Sequence, residues 1–171
     1  MGLEAEARKR YEAALKLAPT SPKTEVERIL TLRIHTAYAK CLHAEGDLDG
    51  AIKLIEDGRP IREAFTGLSR KTSMFNADAM LAMLISFKGP SDRARSLLAN
   101  AVKTFDELDK ERQIDHAAGL LRVGRAYDNL GEPALAGPVL SRVIELTEPY
   151  SSSVEIWHGA MMARAQNHFR Q

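Results

Sequence analysis

The sequence has few of the features that mark secreted, membrane or metal-binding proteins. Its 171 residues include one cysteine, so it can form neither an intrachain disulfide nor a cysteine metal cluster. The longest apolar run, residues 77–87, is interrupted by Asp78 and Ser86 and is too short to span a bilayer. The first ten residues are charged and lack the apolar segment of a secretory signal. These absences predict an intracellular, cytoplasmic protein with no membrane association.

Charge of either sign is not in excess. Lysine and arginine number 24 against 23 aspartate and glutamate, for a net charge of +1. A near-balanced chain has no overall attraction for nucleic acid or anionic lipid. Direct nucleic-acid binding is therefore not expected, and any basic surface must be local.

Patterns of catalytic or metal-ligating residues are also missing. His35 and His43 are eight residues apart on one predicted helix, too far to share a metal without other ligands. No H-E-x-x-H motif, cysteine–histidine spacing or glycine-rich phosphate loop occurs, and no nucleophile elbow accompanies the Asp115–His116 pair. We therefore expect no enzyme activity, no cofactor and no metal.

Helical periodicity extends over most of the chain. Residues 25–45 are predicted to form a helix that begins with a capping box at Thr24 and Glu27 and ends at Gly46. Its apolar face, on which Cys41 is expected to be a packed thiol, holds Val26, Ile29, Leu30, Ile34, Ala37, Tyr38, Cys41 and Leu42.

Further helices are predicted at fixed intervals, and no run alternates with the period of a strand. One begins at Leu48 and is broken near Gly58 and Pro60, and Pro138 should bend or delay another. A last helix should begin near Ser152, with Glu155 completing a capping box. The remaining predicted helices are Lys71–Phe87, Ser91–Leu108, Ile114–Leu130 and Ala134–Leu146.

An internal repeat is the strongest pattern. Turn glycines recur at Gly46, Gly89 and Gly131, which are 43 and 42 residues apart. Small residues follow each turn where paired helices must approach closely. After each turn, at the same offsets, come Ala51, Ile55 and Gly58, then Ala94, Leu98 and Ala101, then Ala136, Leu140 and Val143.

This pattern resembles the tetratricopeptide repeat (TPR) family, a right-handed α-solenoid of antiparallel helix pairs. The resemblance is carried first by Leu120, Val123, Gly124, Tyr127, Gly131, Ala136 and Leu140. It is carried also by Ala7, Tyr11, Ala14 and Pro19, by Ala39, Leu42, Gly46 and Ala51, and by Leu81, Ala82, Ile85, Gly89, Ala94 and Leu98. Units of 42–44 residues exceed the family's usual 34 and are similar to those of kinesin light chains, polarity-scaffold adaptors and STAND-type regulators.

The resemblance implies one all-α array over residues 1–171. It divides into a partial unit (1–20), three units (24–68, 71–108 and 112–148), and a further partial unit or capping helix (151–171). Both ends look cut, which favours a segment of a larger protein. Apolar faces near Tyr11 and Trp157 would then lack neighbours and promote self-association.

The family's concave groove is lined by the first helix of each unit. Carried over by position, the partner-binding residues are Arg33, Thr36, Lys40, His43, Asn76, Met83, Arg122, Arg125 and Asn129, with Ala79, Ser86, Leu121 and Asp128 on the same face. The family's carboxylate clamp falls on Thr36, Lys40, Met80, Ala118 and Arg122, which retains too little of that clamp to hold a chaperone tail.

The leading hypothesis is a protein-interaction scaffold or adaptor whose mildly basic groove binds an acidic or amphipathic peptide or helix. The alternative is the effector-sensing segment of a signalling or transcriptional regulator.

Overall fold

The computed structural model describes residues 2–149 and 154–168, and in those ranges it contains α-helices and no strand. The protein is 82% helical. The all-α prediction is therefore confirmed. The described helices are α1 (Gly2–Leu17), α2 (Glu25–Ala44), α3 (Leu48–Asp57), α4 (Arg59–Glu63), α5 (Gly67–Ser86), α6 (Asp92–Asp106), α7 (Lys110–Asp115), α8 (Ala117–Asn129), α9 (Pro133–Thr147) and α10 (Val154–His168).

The chain forms two compact units, residues 1–73 and 74–171. In the first unit, α2 packs against α1 and α3. In the second, α9 packs against α8 and α10, and α6 also contacts α8. Sequential pairing of neighbouring helices is the arrangement that the repeat predicts.

Local sequence fixes the ends of α2. The Thr24 side chain accepts from the Glu27 amide, and a Glu27 carboxylate oxygen accepts from the Thr24 amide at 3.1 Å, so the predicted capping box is confirmed. The helix ends before Gly46, whose φ of 85° is one that side-chain-bearing residues rarely adopt. Gly89 and Gly131, with φ of 110° and 74°, make the corresponding turns.

The repeat register agrees with the packing. Ala51, Ala94 and Ala136 are completely buried. At the α8–α9 contact, a Cβ added at Gly124 would lie 2.6 Å from Leu140 Cδ2, closer than any real carbon contact. Small residues are needed at these positions because larger ones would separate the helices.

Two helices differ from the sequence prediction by more than two residues at an end. Helix α5 begins at Gly67, four residues before the predicted start at Lys71. The single helix predicted over Ile114–Leu130 is in fact α7 followed by α8, with a break at His116 (φ −107°, ψ 10°). Gln113 fixes α7 against the end of α6, since its side-chain amide donates to the Leu108 carbonyl at 2.9 Å.

The two proline predictions had different outcomes. Gly58 ends α3 and Pro60 lies in the first turn of α4, as predicted. Helix α9, by contrast, begins at Pro133 and continues through Pro138, so this proline does not delay the helix. Pro138 and Ala134 are both exposed, so water can satisfy the carbonyl that proline leaves unbonded. The capping box predicted at Ser152 lies outside the described residues.

Candidate functional site

An open cleft of about 660 Å³ lies between α1 and α2 in the first unit. Helix α2 contributes three of the predicted partner-binding residues, Arg33, Thr36 and Lys40, which are spaced three and four apart and share one face. The rest of the lining is apolar or small: Ala7 and Tyr11 from α1, and Ala37 and Cys41 from α2.

Several side-chain contacts join α1 to α2 beside the cleft. The Tyr11 and Tyr38 rings stack with centroids 5.9 Å apart, and the Tyr38 hydroxyl donates to Glu12 at 2.9 Å. Arg8 pairs with Glu45 at 3.2 Å. The Tyr38 hydroxyl and Arg8 hold the pKa of Glu12 below its usual value, while burial raises the pKa of Tyr38. Both groups therefore keep their neutral-pH states, and this wall does not change charge near neutrality.

The two cations of the cleft are free. Arg33 and Lys40 are exposed, and neither makes a hydrogen bond or ion pair in residues 2–149 and 154–168. Thr36, between them, donates its hydroxyl to the Leu32 carbonyl of its own helix at 2.8 Å. The cleft thus presents two unpaired positive charges above an apolar floor.

Two other residues of α2 were singled out from the sequence. His43, predicted on the concave face, is half-buried and is not among the residues that line the cleft. Cys41, expected in the core, lines the cleft instead, and its thiol donates to Glu45 at 3.5 Å.

The first two turns of α2 carry apolar residues that are exposed. Val26, Ile29 and Leu30 are 66%, 44% and 53% exposed, so their assignment to a packed apolar face is wrong. At 100° per residue they fall on the same side of the helix as Arg33 and Ala37. Periodicity shows that residues share a side but not which side the core covers, which is why the sequence assigned them wrongly.

In the second unit, most of the predicted binding residues have internal polar partners. The Asn76 amide nitrogen donates to Nδ1 of His116 at 3.0 Å. The Asn129 amide nitrogen donates to the buried Ser86 hydroxyl oxygen at 3.1 Å, and an Arg125 nitrogen lies 3.5 Å from the Gly159 carbonyl. These contacts join α5 to α8 and α8 to α10, and they stabilise the fold.

The other predicted residues of this unit are less accessible than those of α2. Met83 and Arg122 are half-buried, and burial lowers the pKa of Arg122. Met80, at a clamp position, is buried and has no access to a ligand. The expected groove-facing positions Ala79, Ser86 and Leu121 are also buried.

Two histidines, His35 and His116, have structural surroundings. The His35 imidazole is buried and donates from Nδ1 to the Leu54 carbonyl at 2.9 Å. Burial lowers the pKa of His116, with a smaller contribution from Arg112 that Asp115 opposes. Within the described ranges, no group of three metal-ligating side chains comes together. No helix in those ranges combines the length and apolarity that crossing a bilayer requires.

Comparison with known proteins adds a solved neighbour. No family model matches the sequence, and no curated protein matches it. A crystal structure of the nearly identical TPR-like repeats of a kinesin light chain-type protein from Podosopora anserina superposes with a TM-score of 0.64, covering 99% of this chain and 79% of that one. The chain has a TPR-like fold. At 18% identity the likeness extends to the fold alone.

The TPR-like fold accounts for the residues that define the repeat. Ala39, Ala82 and Gly124 occupy the position in the first helix of each repeat where the family has a small residue, and all three are buried. Sequence reasoning missed the contribution of α1, since Ala7 and Tyr11 were recognised as repeat residues and not as lining. Their i, i+4 spacing places them on one face of α1, and from this spacing the sequence could have predicted that they line a site together.

Proposed function

We propose that this chain is a protein-interaction module, and that the α1–α2 cleft binds an acidic or amphipathic segment of a protein partner. The observation that carries the proposal is the pair of unpaired cations, Arg33 and Lys40, above the apolar floor of Tyr11 and Ala37. Helical grooves bind segments through apolar anchors, and complementary charge sets specificity and association rate. No catalytic step is part of the proposal.

The second unit has a smaller role in this proposal. Arg122, Arg125, Asn76, Met83 and Asn129 were predicted as binding residues, and they remain candidates for a secondary contact. Three of them already make internal hydrogen bonds, which a partner would have to replace. Replacing an existing hydrogen bond contributes little to affinity, whereas Arg33 and Lys40 can pair with a partner's carboxylates without breaking a hydrogen bond within the protein.

A selection experiment tests the proposal and reveals the chemistry of the partner at the same time. A library of displayed peptides is panned against the immobilised chain, and each enriched peptide is remeasured against the Arg33→Glu/Lys40→Glu variant. The matched control is Lys103→Glu/Arg164→Glu, which reverses two exposed cations of the second unit whose side chains likewise make no hydrogen bond or ion pair with described residues.

We expect acidic or amphipathic peptides whose affinity falls at least about tenfold with the cleft reversal and changes little with the control. Their association should slow as salt rises, because exposed charges are screened. Enriched peptides that bind the cleft reversal as well as they bind the original would overturn the proposal.

A further inference from the structure

We propose that the partner segment is an amphipathic helix with one apolar turn and one acidic stretch. The apolar turn packs on Val26, Ile29 and Leu30, and the carboxylates pair with Arg33 and Lys40. This inference rests on the proposed function and specifies the chemistry and geometry of its partner.

The apolar half of the surface is unusual because its members share one face. Isolated exposed apolar residues are common on proteins. Here three of them lie within five residues at the start of α2, and the helical phase places them together on the cleft side. Leu17, at the end of α1, is also 86% exposed. A contiguous exposed apolar area of this kind is typical of an interaction surface.

The charged half of the surface specifies an acidic partner. Along the cleft side of α2, from Val26 to Cys41, the charged residues are Arg33 and Lys40, and both are without ion-pair partners in the described part of the chain. Glu25, at the start of the helix, accepts a hydrogen bond from Ser69 at 3.1 Å and is therefore already engaged. The surface thus changes along α2 from apolar to positive.

A helix suits this surface better than an extended strand. The exposed face belongs to a helix, whose backbone groups are already bonded, so it offers no edge to which a strand could hydrogen-bond. A helical partner satisfies its own backbone groups and needs only side-chain contacts. Both helices rise about 1.5 Å per residue, so the partner needs the same spacings as α2. Apolar residues at i and i+4 of the partner would contact the apolar turn of α2, and carboxylates at about i+7 and i+14 would reach Arg33 and Lys40.

The test uses designed helical peptides of about 18 residues with this spacing, in two versions that place the apolar turn at either end. A permuted peptide of identical composition, with the leucines and glutamates interleaved, is the ligand control. The protein variant is Leu30→Ser, and its matched control is Leu135→Ser in α9, because both leucines are 53% exposed. Affinities are measured by fluorescence anisotropy.

We expect the better of the two peptides to bind at least about tenfold more tightly than the permuted one. Leu30→Ser should weaken that binding about tenfold, the loss expected when a leucine side chain is no longer buried in the complex. Leu135→Ser should have no effect. Circular dichroism confirms that each variant is folded, and Ile29→Ser replaces Leu30→Ser if the latter is not.

The outcomes separate this inference from the proposed function. If the Arg33→Glu/Lys40→Glu reversal weakens binding while Leu30→Ser and Ile29→Ser do not, the apolar contact is wrong and the basic cleft stands. If neither set of variants has an effect, both proposals fail. If Leu135→Ser weakens binding equally, the contact is unspecific and the inference fails. If the chain sediments as a dimer that Leu30→Ser dissociates, the occupant is a second copy and the helical partner is overturned.

Discussion

In both units, the first helix of each repeat carries polar or charged residues on its predicted binding face, but the surroundings of these residues differ between the units. On α2, Arg33 and Lys40 are exposed and unpaired in the described residues, and the neighbouring apolar residues are uncovered. On α5 and α8, Asn76 and Asn129 are hydrogen-bonded to other helices of their unit. Arg33 and Asn76 lie thirteen residues before their turn glycines, Gly46 and Gly89, so the same repeat position stabilises the fold in one unit and remains available for a partner in the other.

The difference shows that repeat position alone does not identify a binding residue. A polar side chain at such a position acts on stability when a neighbouring helix supplies its partner. It is available for recognition when none does. The comparison can be tested by asking which substitutions change stability and which do not.

The largest change in stability is expected at the buried alanines that define the repeat register, on which the comparison depends. Ala94→Leu or Ala136→Leu forces a larger side chain into a fully buried helix contact and should lower the free energy of unfolding by about 1–3 kcal/mol. Denaturant titration measures the change. Ala99→Leu, at an exposed position of the same helix as Ala94, is the control and should be nearly neutral. Unchanged midpoints for both buried variants would show that the register is wrong.

A smaller loss of stability is expected when polar residues are removed, and it should be greater in the second unit than in the first. Asn129→Ala removes the hydrogen bond to the buried Ser86 hydroxyl and should cost about 0.5–1.5 kcal/mol. Thr36→Ala loses only a bond to its own helix and should stay within about 0.5 kcal/mol of the original. Equal costs for the two substitutions, measured by thermal or chemical unfolding, would remove the distinction between the units.

The stability of the second unit should depend on pH through the contact between Asn76 and His116. Asn76 donates to Nδ1 of a neutral His116, and burial lowers the pKa of this histidine below its ordinary 6.5. Below about pH 6.5 the unfolded chain therefore takes up a proton that the folded chain does not, so stability falls as the pH drops. His116→Asn should flatten this dependence between pH 7 and 5. A pH dependence of unfolding that His116→Asn leaves unchanged would contradict this account of His116.

The smallest effect on stability is expected from the proposed site itself. Arg33→Glu or Lys40→Glu should change the free energy of unfolding by less than about 0.5 kcal/mol, because exposed unpaired charges contribute little to folding. A clear loss of stability, seen in the same unfolding titration, would mean that these cations are part of the fold and are not reserved for a partner.

The features that the sequence predicted are those set by local backbone geometry or by close packing. Gly46, Gly89 and Gly131 are at positive φ, and Ala94 and Ala136 are buried, because no other residue types satisfy those positions as well. The break at His116 was missed, and the nearby bond from the Gln113 side chain to the Leu108 carbonyl is one that helical periodicity does not report.

The site was predictable only in part. The common face of Arg33, Thr36 and Lys40 follows from helical phase, and the structure brings these three together. The internal bonds of Asn76 and Asn129 join residues 40 and 43 positions apart, and no local pattern reports them. The exposure of Val26 and Leu30 was missed because periodicity does not show which side of a helix the core covers.

The central claim is that recognition takes place on the cleft side of α2 and not on the first-helix faces of the second unit. The most direct test is a map of backbone amide chemical shifts as a selected acidic, amphipathic peptide is added to isotope-labelled protein. The account predicts that the shifted amides cluster in residues 7–11 and 26–41. Shifts concentrated in residues 117–129, with residues 26–41 unchanged, would contradict it.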